Sequence, residues 1–153
     1  MARLDKYSEE ERNHLLSLPC KGFATAPFVA GPPLCERKVA LISTAGLHLS
    51  SDRPFGIGAA DYRLIPKGTP AADLVMSHIS TNFDRTGFQM DHNLVFPLER
   101  LTELAENGDI GSVADYHYSF MGATDPEQMQ DTARNVAEIM KKEGVNAVLL
   151  VPV

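Results

Sequence analysis

The last nine residues, VNAVLLVPV (Val145–Val153), carry no charge and follow an amphipathic segment that stops at Gly144. A run this short and this continuously apolar predicts a strand buried on both faces. Such a strand needs a helix or further strands over each face, which points to a sheet covered on both sides. In a doubly wound sheet a loop and a helix follow each strand, and ligands bind at the carboxyl ends of the strands. This strand reaches Val153, so the expected domain is incomplete at its C-terminus and ends where a functional loop is expected to begin.

The preceding segments fit the same scheme. Before the last strand, Asp125 is placed to cap a helix, Pro126 suits its first turn, and Gln128 would complete a capping box. Met129, Ala133, Val136, Ala137 and Met140 make its apolar stripe, and Lys141 and Lys142 suit its C-terminal end. KVALIST (Lys38–Thr44) reads as a strand buried on both faces, followed by a long polar loop over 45–60. Further strands are expected over Asp61–Pro66, Leu74–Ser80 and Val113–Phe120, with a polar loop over 81–92. Pro97 opens a helix with Leu98, Leu101, Leu104 and Ala105 at helical spacing, and Gly108 ends it.

At the N-terminus, Ser8 to Glu11 is a capping-box signature for a short helix with Leu15, Leu16 and Leu18 on its apolar side, ended by Pro19. Residues 20–33 form an irregular Pro/Gly linker. The expected organisation is therefore an N-terminal helix and linker over 1–37 and an α/β domain over 38–153. Its fold is expected to be a mostly parallel sheet with helices on both faces, of the doubly wound type.

Composition narrows the partners. A net charge of −6 with no Lys/Arg-rich run disfavours nucleic acid. No apolar stretch reaches the ~20 residues of a membrane span, and the polar N-terminus is no signal peptide, so a cytoplasmic location is expected. Cys20 and Cys35 form no C-x-x-C motif and are expected to be buried small apolar residues.

Candidate chemistry collects at strand ends. Ser43, Thr44, Gly46 and His48 follow the first buried strand and suit an anion or polar substrate, although neither G-x-G-x-x-G nor a P-loop is present. The bland reading is that the hydroxyls satisfy backbone groups at a turn. His78, Asp84, Arg85, Asp91, His92 and Asn93 follow another predicted strand and have the residue types of acid–base chemistry; a surface ion pair and an ordinary turn are the alternatives. His117, between Tyr116 and Tyr118, suits either a catalyst or a satisfied core histidine. No H-x-x-x-H or H-E-x-x-H spacing appears, so no metal site is expected. A hydrolase reading lacks the G-x-S-x-G elbow.

Taken together, VALISTAGLHL (Val39–Leu49), SHISTNFDRTGFQMDHNLVFPLERL (Ser77–Leu101), GDIGSVADYHYSFMG (Gly108–Gly122) and AVLLVPV (Ala147–Val153) resemble the selenoprotein B family. That family includes subunits of glycine/sarcosine/betaine reductase and D-proline reductase, and shorter relatives. The most specific elements are HYSFMG and the N-x-V-F-P-L-x-R-L pattern before it. The resemblance implies a selenocysteine, or a cysteine in its place, immediately after Val153 in the full-length form, and no cofactor within this chain. It implies reductive cleavage of a C–N or similar bond in a small molecule, with a thioredoxin-type dithiol as reductant, and a homo-oligomer or partner subunit. The pyruvoyl group of the amino-acid reductases comes from a separate subunit, so an amino-acid substrate is not implied. By the same resemblance His48, His78, Asp84, Asp91 and His117 are candidates for catalysis, and Ser43, Thr44, Gly46 and Arg85 for substrate binding. The chain ending at Val153 is then expected to be inactive, truncated at a selenocysteine codon read as stop. The competing expectation is a non-enzymatic binding module or subunit that pairs through its last strand.

Overall fold

The computed structural model describes residues 4–19, 22, 24–25, 28–80 and 85–153, in two units, residues 1–30 and 31–153. In the first unit, helix α1 (Glu9–Ser17) starts on the expected capping box: the Ser8 hydroxyl accepts from the Glu11 amide while the Glu11 carboxylate accepts from the Ser8 amide. No residue of α1 is buried, contrary to the expected apolar side. The leucines do not make one stripe, because Leu16 points away from Leu15 around the helix and Leu18 lies beyond its end. Cys20 lies outside the described residues.

In chain order the second unit holds β1 (Lys38–Ser43), β2 (Leu47–Leu49), β3 (Arg63–Pro66), β4 (Leu74–Met76), α2 (Thr86–Met90), α3 (Leu98–Glu106), β5 (Ser112–Val113), β6 (Tyr116–Ser119), α4 (Gln130–Lys142) and β7 (Ala147–Val151). β1 pairs in parallel with β7 along one side and with β5 and then β6 along the other. β3 adds to β6 antiparallel, and β2 pairs antiparallel with β4 in a separate ribbon. The sheet is therefore mixed: the three pairings of β1 are parallel and β3 joins antiparallel, so the mostly parallel doubly wound sheet expected from alternating helices and strands is met only in part. The sequence periodicity that reveals a strand does not reveal its direction, and β3 alternates as an edge strand of either sense does.

Alternation along β1 divides the core. Val39 and Leu41 pack on one face with Phe96, Ile110 and Val113, under Leu98 and Leu101 of α3. Ala40 faces the other way, with Tyr118 and Phe120, under Val136 and Met140 of α4. One helix thus covers each face. α3 ends as expected at Gly108, whose φ of +79° is a conformation that glycine adopts without strain.

Several local expectations change. α4 begins at Gln130, after a run of turns, and no side chain caps it; Asp125 instead accepts from the Glu127 amide and holds a turn. The loop expected over 45–60 contains β2, a three-residue strand too short to show a period, and the polar loop over 81–92 contains α2. Cys35 is exposed, not buried. β7 is an edge strand among the described residues, with Leu150 66% exposed, so the expected burial on both faces is not met.

The β1 ladder contains an irregularity that bears on the site. Between the Val39–Val113 and Ile42–Tyr118 pairs, Ala40 and Leu41 face the four residues Ala114 to His117. This bulge carries the facing backbone away from Leu41, and the ring of His117 takes the vacated place: Nδ1 accepts from the Leu41 amide at 3.0 Å. No helix among the described residues is long and apolar enough to cross a membrane.

Candidate functional site at the carboxyl end of the sheet

β1, β6 and β7 run in parallel, so their carboxyl ends emerge together. The Phe120 amide donates to the Ser43 carbonyl, the Gly122 amide to the Thr44 carbonyl at 2.8 Å, and the Gly46 amide to the Phe120 carbonyl. The chain beyond β7 is tied to the same place by one side chain. The Thr44 hydroxyl accepts from the Val153 amide at 2.8 Å and donates to the Val153 carbonyl at 3.3 Å. Replacing Thr44 by Val keeps the shape and removes both bonds. The expected result is a loss of about 1–2 kcal/mol and an amide of Val153 that exchanges about tenfold faster, read by hydrogen exchange.

Two glycines make the convergence possible. Gly46 has a φ of +65°, and a Cβ there would lie 3.1 Å from the His78 backbone nitrogen. At Gly122 a Cβ would lie 2.6 Å from the Val153 carbonyl oxygen, 2.8 Å from that of Thr44 and 3.0 Å from His78 Nε2. Strand ends and a histidine ring therefore close around a point that only glycine leaves open. Gly122 was not among the sequence candidates. The signal for it was present, a glycine two residues after a predicted strand.

His78 is buried. Its Nδ1 accepts from the Ser80 amide at 3.2 Å, so the neutral ring carries its proton on Nε2, the nitrogen beside Gly122. Burial holds the His78 pKa below the ordinary imidazole value, and the Arg85 guanidinium pushes the same way, so the ring is neutral at pH 7. Arg85 donates to the His78 carbonyl.

The remaining candidates are placed as follows. The Ser43 hydroxyl is fully buried and accepts from the Ala45 amide, which makes it a support for the turn. Buried His48 bonds through both ring nitrogens, to the Leu49 carbonyl and the Ser77 hydroxyl. His117 is fully buried in the β1 ladder, edge-on to Phe96, and its pKa is pushed down to about 4 by burial above all. Asp91 accepts from the backbone and side-chain amides of Asn93, which hold its carboxyl below the usual range; Asn93 also donates to Glu99, and His92 stands 3.7 Å from Glu99. Asp91, His92 and Asn93 thus form a hydrogen-bonded turn at the start of α3. Asp84 lies outside the described residues. No group of three or more acidic, histidine or cysteine side chains is placed to hold a metal among the described residues. A separate cavity of about 90 Å³ lies by α3, lined by Lys67, Thr69, His92, Glu99 and Thr102 among others.

Residues 30–153 match the family described as glycine/sarcosine/betaine reductase selenoprotein B (GRDB). Among curated proteins, the chain is similar to the D-proline reductase subunit gamma of Acetoanaerobium sticklandii, 33% identical over 132 residues. That alignment covers 82% of this chain and 54% of the relative, so the chain spans about half the length of the protein it matches. No solved structure matches.

Proposed function

Because the chain belongs to the glycine/sarcosine/betaine reductase selenoprotein B family, we propose that it is the strand-end scaffold of a selenol- or thiol-dependent reductase, which cleaves a C–N or similar bond reductively. The observation that carries this reading is the closure of Thr44, Gly122 and His78 around Val153, at the end of the sheet where open α/β sheets bind ligands. In the full-length form, we place a selenocysteine, or a cysteine, immediately after Val153. It would supply a nucleophile that is largely anionic at neutral pH, as an ordinary thiol with pKa near 8.5 is not.

The chain's own residues fit that position. Thr44 fixes the backbone on which the residue would stand, and Gly122 keeps the approach open. His78 presents a neutral ring with its proton on the nitrogen facing that point, and Arg85 contributes positive charge to the same loop. A donor and a cation near an anionic nucleophile lower its pKa. A thioredoxin-type dithiol would return the oxidised residue to its reduced form by exchange. His48 flanks this end of the sheet, and His117 contributes through the fold.

The test is alkylation by iodoacetamide at pH 6, where ordinary thiols are protonated and slow. The form carrying the residue after Val153 should be modified there rapidly, and its dithiol-dependent reductase activity should be absent from residues 1–153 alone. Reductase activity in the 1–153 chain, or a residue after Val153 that is neither selenocysteine nor cysteine, would sink the proposal.

A second reading draws on the β7 edge, where Val148, Leu149 and Leu150 are exposed. A subunit that binds a partner by strand pairing would use this edge. The matched relative is itself a reductase subunit. Under this reading Leu150→Lys abolishes association, measured by light scattering, without unfolding the chain.

A further inference from the structure

We propose that Ser77 is a base-activated nucleophile, with His48 as its general base, able to accept an acyl group from an activated ester. This goes beyond the reductase reading and does not depend on it.

The arrangement follows from the β2–β4 ribbon. His48 pairs with Val75 across the ribbon, and residues two apart share a face, so Ser77 comes up beside His48. The His48 Nε2 lies 2.7 Å from the Ser77 hydroxyl. Its Nδ1 lies 2.7 Å from the Leu49 carbonyl oxygen, which can only accept. In the neutral ring the proton is therefore on Nδ1, and the Nε2 lone pair receives the Ser77 hydroxyl proton. Orienting acceptor, base and nucleophile are thus linked in the order that acyl-transfer serines use, with a backbone carbonyl in the orienting place. Burial holds His48 in one geometry, while Ser77 stays partly exposed and within reach of a substrate. The Ser77 amide is fixed to the Gly46 carbonyl at 2.9 Å, so the nucleophile's backbone is anchored as well. No G-x-S-x-G elbow is needed, because the ribbon rather than a strand–helix turn presents the serine.

In the step itself, Ser77 Oγ bonds to the ester carbonyl carbon as its proton passes to His48 Nε2. The tetrahedral adduct collapses, the ester C–O bond breaks, and the leaving alcohol takes that proton from His48. An acyl ester on Ser77 remains, and water attacking it by the same route restores the serine. No oxidant, reductant or metal enters.

Two probes test this on the whole chain. A fluorophosphonate should label Ser77, identified by peptide mass, at least a hundredfold faster than any other serine. Ser77→Ala should abolish the labelling, and His48→Gln should slow it by a hundredfold or more. Because His48→Gln alters a buried ring, a Ser77→Cys variant gives an independent measurement: its thiol should be alkylated by iodoacetamide with a pKa at least one unit below 8.5. Labelling of Ser77 no faster than that of other serines, or an ordinary thiol pKa in the Ser77→Cys variant, would overturn the proposal.

Discussion

Lowering the pH from 6.5 to 4 should remove about 3 kcal/mol of stability through His117 alone. The folded ring has a pKa pushed down to about 4 from an ordinary 6.5. Between those values the unfolded chain binds a proton that the folded chain refuses. The stabilisation is therefore complete above pH 6.5, falls by about 1.4 kcal/mol per pH unit below it, and levels off below pH 4. The cause is structural. Nδ1 accepts from the Leu41 amide, Nε2 has no partner among the described residues, and the ring is fully buried. A proton on Nδ1 would break the Leu41 bond and leave a charge in the core. The Lys67 ammonium opposes protonation and the Asp115 carboxylate favours it, both less strongly than burial acts. The measurement is urea unfolding of the wild type and His117→Asn from pH 7 to 4. Asparagine offers an acceptor near Leu41 but does not titrate. The other groups titrate alike in both proteins, so the wild type's advantage should shrink by about 3 kcal/mol across that range. Parallel profiles would mean that His117 is not the group that resists acid.

The same histidine shows where the sequence can be read and where it cannot. Flanking tyrosines left open whether His117 was a catalyst or a satisfied core residue, because its partner, the Leu41 amide, is 76 positions away in the chain. The bulge that brings the two together leaves no mark in the local pattern. Segments whose signal is local read well: the Ser8–Glu11 box, the Lys38–Ser43 strand and the α3 helix ending at Gly108 all form where composition and spacing place them, although of the expected α3 stripe Leu98 and Leu101 are buried and Leu104 is exposed. Where the outcome depends on pairing it was not legible. The antiparallel direction of β3, the three-residue β2 and the exposed edge of β7 are decided by neighbours distant in sequence. Asp125 reads as a helix cap but serves a turn, since one side chain type suits both. For the candidate site, Thr44, Gly46 and His78 were identifiable as polar or glycine positions at strand ends. Their meeting with Gly122 and Val153 required the parallel alignment of three strands.

That meeting gives the second large effect. Gly122→Ala should destabilise the second unit by about 3 kcal/mol, at the upper end for one added methyl group in a packed interior. A long side chain neighbour could swing aside, but here two of the three opposing atoms are backbone carbonyl oxygens, at 2.6 and 2.8 Å. Each is fixed by a ladder or cap: the Thr44 carbonyl accepts from the Gly122 amide itself, and the Val153 carbonyl accepts from the Thr44 hydroxyl. Relief must come from moving the end of β7, so the Thr44–Val153 bonds should be lost together with the packing. Gly56→Ala and Gly68→Ala are the controls. A Cβ at either meets nothing within 4 Å and neither glycine has a positive φ, so each should be neutral or slightly stabilising by restricting the unfolded chain. Two readouts separate displacement from general loosening. Urea unfolding gives the overall cost, and hydrogen exchange should show the Val153 amide unprotected in Gly122→Ala while the centre of β1, at Leu41, keeps its protection. A Gly122→Ala protein as stable as the two controls would mean that the strand ends are not held together at this point.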